Sequence, residues 1–140
     1  ITRTFPANGR FTPRQREVYS IVLEAQQAAF AALKPGATIL EAHRAIYEDF
    51  KRYGVEQYNY GNCGHSIGLT IHDPHGRFRD DREQPLEPGA VLVMEPFLML
   101  RDDCFVVRVE DGIVITENGH ELLPGPVREI AAVEALCQGG

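Results

Sequence analysis

The sequence predicts an α+β fold in which helices near the front of the chain cover one face of a curved antiparallel sheet. Two observations carry this. Between residues 12 and 54, apolar side chains recur at helical spacing in two stretches, each opened by a capping signal. From 91 to 116 the chain runs through two segments rich in β-branched and apolar residues, 91–100 and 105–116, each with charge set in its middle.

The elements follow in order. After an extended start, Asn8-Gly9 marks a turn. The first helix is expected at Thr12, where Pro13 suits the first helical position and Gln15 stands three residues on. Val18, Val22, Ala25, Ala29 and Leu33 form its apolar face, and Lys34-Pro35-Gly36 stops it. A second helix opens at Thr38, with Glu41 at the same spacing and a stripe of Ala42, Ile46, Phe50 and Tyr53. Gly54 can end it in the left-handed conformation. From Tyr58 the chain turns strand-like, passes a His-bearing turn, and enters a polar loop from Pro74 to Pro85 that reads as a solvated connection. Leu86-Glu-Pro-Gly89 is a turn before the first long strand. Glu117-Asn118-Gly119 ends the second, residues 121–126 form a terminal turn, and 128–136 has helix-forming composition.

The whole is 140 residues, about the commonest domain size. Its net charge of −6 offers no basic footprint for nucleic acid and no polybasic face for an anionic membrane. No apolar run approaches the roughly 20 residues of a membrane span, and no signal-peptide pattern occurs. Cys63, Cys104 and Cys137 leave one thiol over in any disulfide scheme, which points to free thiols in a reducing cytoplasm.

The charges inside the strands demand partners. In 105–116, alternation puts Arg108 and Glu110 on one face about 7 Å apart, and Val107, Val109 and Asp111 on the other. In 91–100 the lone carboxylate is Glu95, and Pro96, with no N–H to give a central ladder, predicts a bend or bulge just after it. The segment 64–74 adds His65 in a turn flanked by Gly64 and Gly68, and His72 seven residues later. One His and two Glu from three segments make a site for a hard or borderline divalent ion.

These segments carry a resemblance. His-x-Ile-Gly-Leu, Ile-His-Asp-Pro, Leu-x-Pro-Gly-x-Val before Met-Glu-Pro, and Arg-Val-Glu-Asp-Gly-Ile-x-Ile-Thr-Glu-x-Gly resemble, in that order, the pita-bread metallopeptidases. The opening residues 1–19 are similar to the aminopeptidase P and prolidase branch, so the likeness runs to about Leu123. It implies the pita-bread fold, of which this chain would be the C-terminal portion of a single catalytic domain. In relatives a metal-binding Asp directly precedes the segment matching Ile1-Thr-Arg-Thr-Phe5, and another lies farther upstream. The upstream half is therefore an expected partner, and the isolated 140 residues are expected to be inactive. Charge agrees, since two divalent cations carry four positive charges and Glu95 with Glu110 supply only two negative ones.

The resemblance also assigns roles. Glu110 would bridge the metals, with Arg108 orienting its second oxygen; His65 would bind one metal through a neutral imidazole. Glu95 would bind the same metal and accept the proton of the attacking water. His72 would contact the substrate carbonyl and stabilise the developing oxyanion. Metal ligands are thus His65, Glu95 and Glu110, and catalytic residues His72, Glu95 and Arg108, with Asp73 a supporting group. The implied reaction is hydrolysis of an N-terminal Xaa-Pro bond with manganese, cobalt, zinc or iron, manganese first, by a homodimer. One departure stands out: relatives often carry a histidine four residues before the metal-binding one, where this chain has Gly61. The alternatives are a creatinase-like, metal-free C–N hydrolase, against which the retention of both Glu95 and Glu110 argues, and a non-catalytic peptide-binding module. Cys63 matches no closed zinc pattern and reads as a small buried thiol. His43, His75 and His120 read as surface or supporting residues.

Overall fold

The computed structural model describes residues 1–61, 63–73 and 81–138. Two helices lead: α1, Pro13–Ala32, and α2, Ile39–Arg52. Among the described residues six strands follow, β1 Gly64–Ser66, β2 Val91–Met94, β3 Phe97–Leu100, β4 Phe105–Arg108, β5 Asp111–Thr116 and β6 Gly119–Leu122, and then α3, Ile130–Cys137. The α+β class is as the sequence predicts.

Both helices start where their caps require. The Thr12 hydroxyl accepts from the Gln15 N–H at 3.2 Å, and the Gln15 side chain accepts from the Thr12 N–H at 2.9 Å. Thr38 and Glu41 repeat the arrangement at 3.2 and 2.7 Å. Each such cap stabilises its helix by about 1 kcal/mol. Val18, Val22, Ala25 and Ala29 of α1 and Ala42, Ile46 and Phe50 of α2 are completely buried. Tyr53 departs from the expected stripe: it caps α2 and is 42 % exposed, while Gly54 takes the left-handed φ of +65° foreseen for it.

The expected long strands are each split in two. Segment 91–100 divides at Glu95-Pro96 into β2 and β3, and segment 105–116 divides at Val109-Glu110 into β4 and β5. The four-stranded sheet has the order β1-β2-β5-β6, and β3 pairs with β4 separately. The bend at Pro96 was legible in its missing N–H; the break at Glu110 was not. The register shows what the two sheets are. Met94 pairs with Asp111 before the gap and Phe97 with Arg108 after it, so one antiparallel register runs through both. The two segments form a single long hairpin, bent once in the middle.

Leu92, Met94, Ile113, Ile115, Leu98, Leu100, Val107 and Val109 point to the helices and join one core with them. The opposite face of the hairpin carries Glu95, Arg108 and Glu110 beside Val93 and Phe97, and Asp111 lies on the core side, paired with Met94.

Two readings need correction. The chain from Tyr58 is not a strand: a 3-10 turn spans Glu56–Tyr58 and strand begins only at Gly64. The strand ended at 117–119 instead turns through two residues into β6, which pairs with β5 from Thr116↔Gly119 to Ile113↔Leu122. Gly119-His-Glu-Leu122 is too short and polar to show a strand pattern, and it forms because β5 offers it a ladder. The loop 74–85 is partly seen, with a 3-10 turn over Asp81–Glu83; residues 74–80, with His75, lie outside the described residues. The helix expected over 128–136 is α3. Its Val133 is fully buried, and its Glu134 accepts from the Phe11 N–H at 2.8 Å and pairs with Arg16.

Candidate metal centre

Register and alternation assemble the site. The shared register of the bent hairpin sets Glu95 opposite Glu110 at the bend, between the Met94↔Asp111 and Phe97↔Arg108 pairs. β1 adds the third member, because His65 pairs with Val93, which lies two residues from Glu95 on the same face. The outcome is direct: one ligand atom from each of His65, Glu95 and Glu110 lies within 4.8 Å of the others, all three side chains being half-buried.

Two like charges opposite each other in a ladder destabilise it unless something positive lies between or beside them. His65 is oriented to help. Its Nδ1 lies 2.9 Å from the Ser66 carbonyl, which can only accept, so Nδ1 is a donor and Nε2 is the ring nitrogen left to serve as a metal ligand. That Nε2 is 3.8 Å from Glu95 Oε1. A neutral imidazole nitrogen with two carboxylates fits a borderline divalent cation in donor type and spacing. Gly64 lets the strands close: a Cβ there would lie 1.9 Å from the Met94 methyl and 2.6 Å from the Val93 carbonyl oxygen.

The residues around this trio divide the remaining contacts. Arg108 Nη1 lies 3.1 Å from Glu95 Oε2, and its guanidinium stacks over the Phe97 ring at 5.0 Å. The expectation that Arg108 orients Glu110 is thus corrected to Glu95, its diagonal neighbour across the bend. Glu110 takes its hydrogen bond from the opening segment: the Thr2 hydroxyl donates to Oε2 at 2.5 Å. Backbone bonds between Thr2 and Glu110, at 3.0 and 3.3 Å, pin that segment beside the bend. The Thr4 hydroxyl continues the pattern, donating to the Arg108 carbonyl at 3.0 Å.

His72 reaches the same place from the turn after β1. Its ring stands edge-on to that of His65 with centroids 4.3 Å apart, and the residue is exposed. Asp73 builds this turn, accepting from the Leu69 N–H at 3.0 Å and the Thr70 hydroxyl at 3.1 Å. Gly68 leaves it room, since a Cβ there would sit 2.1 Å from Asp73 Oδ2.

All five residues named from the sequence, His65, His72, Glu95, Arg108 and Glu110, therefore converge on one face of the hairpin. Thr2 was missed, and its signal lay only in a pairing across 108 positions. The other histidines behave as supports. His120 donates from Nδ1 to the Leu33 carbonyl at 3.0 Å, and His43 lies 3.3 Å from the Gly64 carbonyl beside β1. Burial lowers the His43 pKa, partly offset by that hydrogen bond. Cys63 is the buried thiol expected, taking a hydrogen bond from Asn59 at 3.0 Å, and burial pushes its pKa up.

Residues 1–117 match metallopeptidase family M24. The chain belongs to that family. It is 38 % identical over 164 residues to Xaa-Pro aminopeptidase 2 of Streptomyces coelicolor, covering 96 % of this chain and 35 % of the relative. It is 40 % identical over 130 residues to the Xaa-Pro dipeptidase of Pyrococcus furiosus, covering 93 % and 36 %. Among solved structures, zinc-substituted Escherichia coli aminopeptidase P in complex with product superposes with a TM-score of 0.82 at 34 % identity, over 99 % of this chain and 37 % of that one. The fold is accordingly the pita-bread fold, and the chain spans about a third of the length of the curated relatives it matches. Membership in M24 implies a divalent metal, and the His65, Glu95 and Glu110 group supplies donors of the right kind. Among the described residues no helix is long and apolar enough to cross a membrane.

Proposed function

We propose that the full-length protein is a dinuclear metal-dependent exopeptidase that hydrolyses the bond before proline at a peptide's N-terminus, as an Xaa-Pro aminopeptidase or Xaa-Pro dipeptidase. The observation that carries this is the pair Glu95 and Glu110, set opposite each other with the His65 imidazole nitrogen beside them. Bound there, a divalent cation polarises a carbonyl and acidifies water.

This chain's residues have distinct tasks in that reading. His65, Glu95 and Glu110 hold cation, and further ligands belong to the part of the protein outside this chain. Manganese is the cation assigned first. Glu95 is also the base, with Arg108 holding Oε2 and steering the proton to its other oxygen. His72, exposed beside His65, donates a hydrogen bond to the carbonyl oxygen of the scissile bond as negative charge builds on it. The working protein is assigned as a cytoplasmic homodimer.

The test is cleavage of matched Xaa-Pro and Xaa-Ala peptides by the full-length protein with and without manganese, beside Glu95→Gln. Metal-dependent cleavage confined to the proline peptides and lost in the variant is expected. Cleavage that survives metal removal, or that ignores the second residue, would overturn the reading. Peptide length then separates aminopeptidase from dipeptidase.

A further inference from the structure

The face that α1 turns to the sheet is apolar with one exception. Gln26 lies one turn after Val22 and is 1 % exposed, among the largest fully buried side chains of the protein. Its Nε2 lies 3.1 Å from the Met94 carbonyl oxygen and 3.2 Å from the Val109 carbonyl oxygen. Met94 and Val109 are the residues immediately before Glu95 and Glu110, one on each arm of the bent hairpin.

The chemistry explains the contact. At the bend the β2·β5 ladder stops at Met94↔Asp111 and the β3·β4 ladder resumes at Phe97↔Arg108. The Val109 N–H still reaches the Pro96 carbonyl at 3.4 Å, but Pro96 has no N–H to return to the Val109 carbonyl, which the Gln26 amide reaches together with that of Met94. A primary amide has two N–H groups, one for each. The residue is kept at a cost, because its own Oε1 has no hydrogen-bond partner among the described residues. An apolar side chain would complete the core without that cost, so Gln26 breaks the local rule in the one place where it touches both carboxylate-bearing arms of the bend.

We propose that Gln26 is a positioning residue that sets the separation of Glu95 and Glu110 from behind the sheet. Two carbonyl oxygens bonded to one nitrogen cannot part by more than the sum of their two bond lengths. The peptide units that aim the two carboxylates are therefore tied together across the bend, and the gap on the site face is held at the width a cation needs. The inference rests on the proposed role of Glu95 and Glu110 as ligands and extends it to a residue on the opposite face.

The test uses the full-length protein, stripped of metal, with manganese titrated by calorimetry and unfolding followed separately in the metal-free state. Gln26→Met, which removes both donors and keeps the volume, is expected to weaken manganese binding about tenfold or more, the usual effect of losing a group that orients a ligand. Gln26→Asn, one methylene shorter and able to reach only one carbonyl, weakens it less. Wild-type manganese affinity in Gln26→Met overturns the inference, whatever the variant's melting temperature. If the Met variant does not fold, wild-type affinity in the Asn variant overturns it equally. Glu110→Gln marks the separate failure: undiminished manganese binding there overturns the assignment of the ligands, and this inference with it.

Discussion

Glu110 and Asp111 are adjacent in the chain and lead opposite lives. Alternation sends them to opposite faces of the hairpin, and their surroundings differ accordingly. Both Asp111 oxygens are taken: Arg3 Nη2 lies 2.5 Å from Oδ1 and Arg128 Nη1 lies 3.3 Å from Oδ2, with the side chains of Arg3 and Asp111 only 3 % and 5 % exposed. Arg3 is itself held by the carbonyls of Thr2, Glu110, Pro126 and Val127 at 2.7–2.9 Å. Glu110 instead faces a second carboxylate, and its support is the Thr2 hydroxyl. A carboxylate whose charge is answered inside the fold is structural. One set against its like, with an imidazole nitrogen beside the pair, is unfinished without a ligand.

This contrast can be broken from either side. Glu110→Gln in the full-length protein is expected to bring manganese content and Xaa-Pro turnover to background while leaving metal-free stability unchanged or raised, because it removes a like-charge contact. Metal analysis and denaturant unfolding read both effects. Asp111→Ala reverses the pattern: it strands buried Arg3 and is expected to cost about 3–5 kcal/mol in denaturant unfolding. An Asp111→Ala protein as stable as the wild type would show that the two neighbours do not divide their work in this way.

Smaller changes sharpen the comparison. Thr2→Val deletes the hydroxyl on Glu110 Oε2 and is expected to weaken manganese binding about tenfold, with Thr2→Ser restoring most of it. The smallest expected effect lies behind β1. Burial holds the His43 pKa below its ordinary 6.5, with the Gly64 carbonyl opposing and the charge of Arg82 adding to the shift. The unfolded chain then binds the proton first as pH falls, so stability rises with pH through this window and is lost below about 6.5. Urea unfolding between pH 5 and 8 on wild type and His43→Gln measures it, and the variant is expected to have the shallower slope.

Much of this molecule is legible from short-range patterns. The caps at Thr12 and Thr38 act across three residues, Pro96 bends its strand by lacking one N–H, and Gly54 ends a helix through its own φ. The five site residues stood out because charge and imidazole in otherwise apolar or glycine-flanked segments need a reason. Long-range pairing decided the rest. Which carboxylate Arg108 would hold depended on a register shared by two strands, and the partner of Glu110 lay 108 positions away. The 4-residue strand β6 exists because β5 offers an edge, and Gln26 reads as one more polar residue on a helix until two carbonyls from the two arms of the bend arrive beside it. Local sequence fixes dihedrals and faces, since those cost and return free energy within one turn. The width of the gap between Glu95 and Glu110 belongs to the packed hairpin, where a one-residue slip would turn every one of these side chains to the other face.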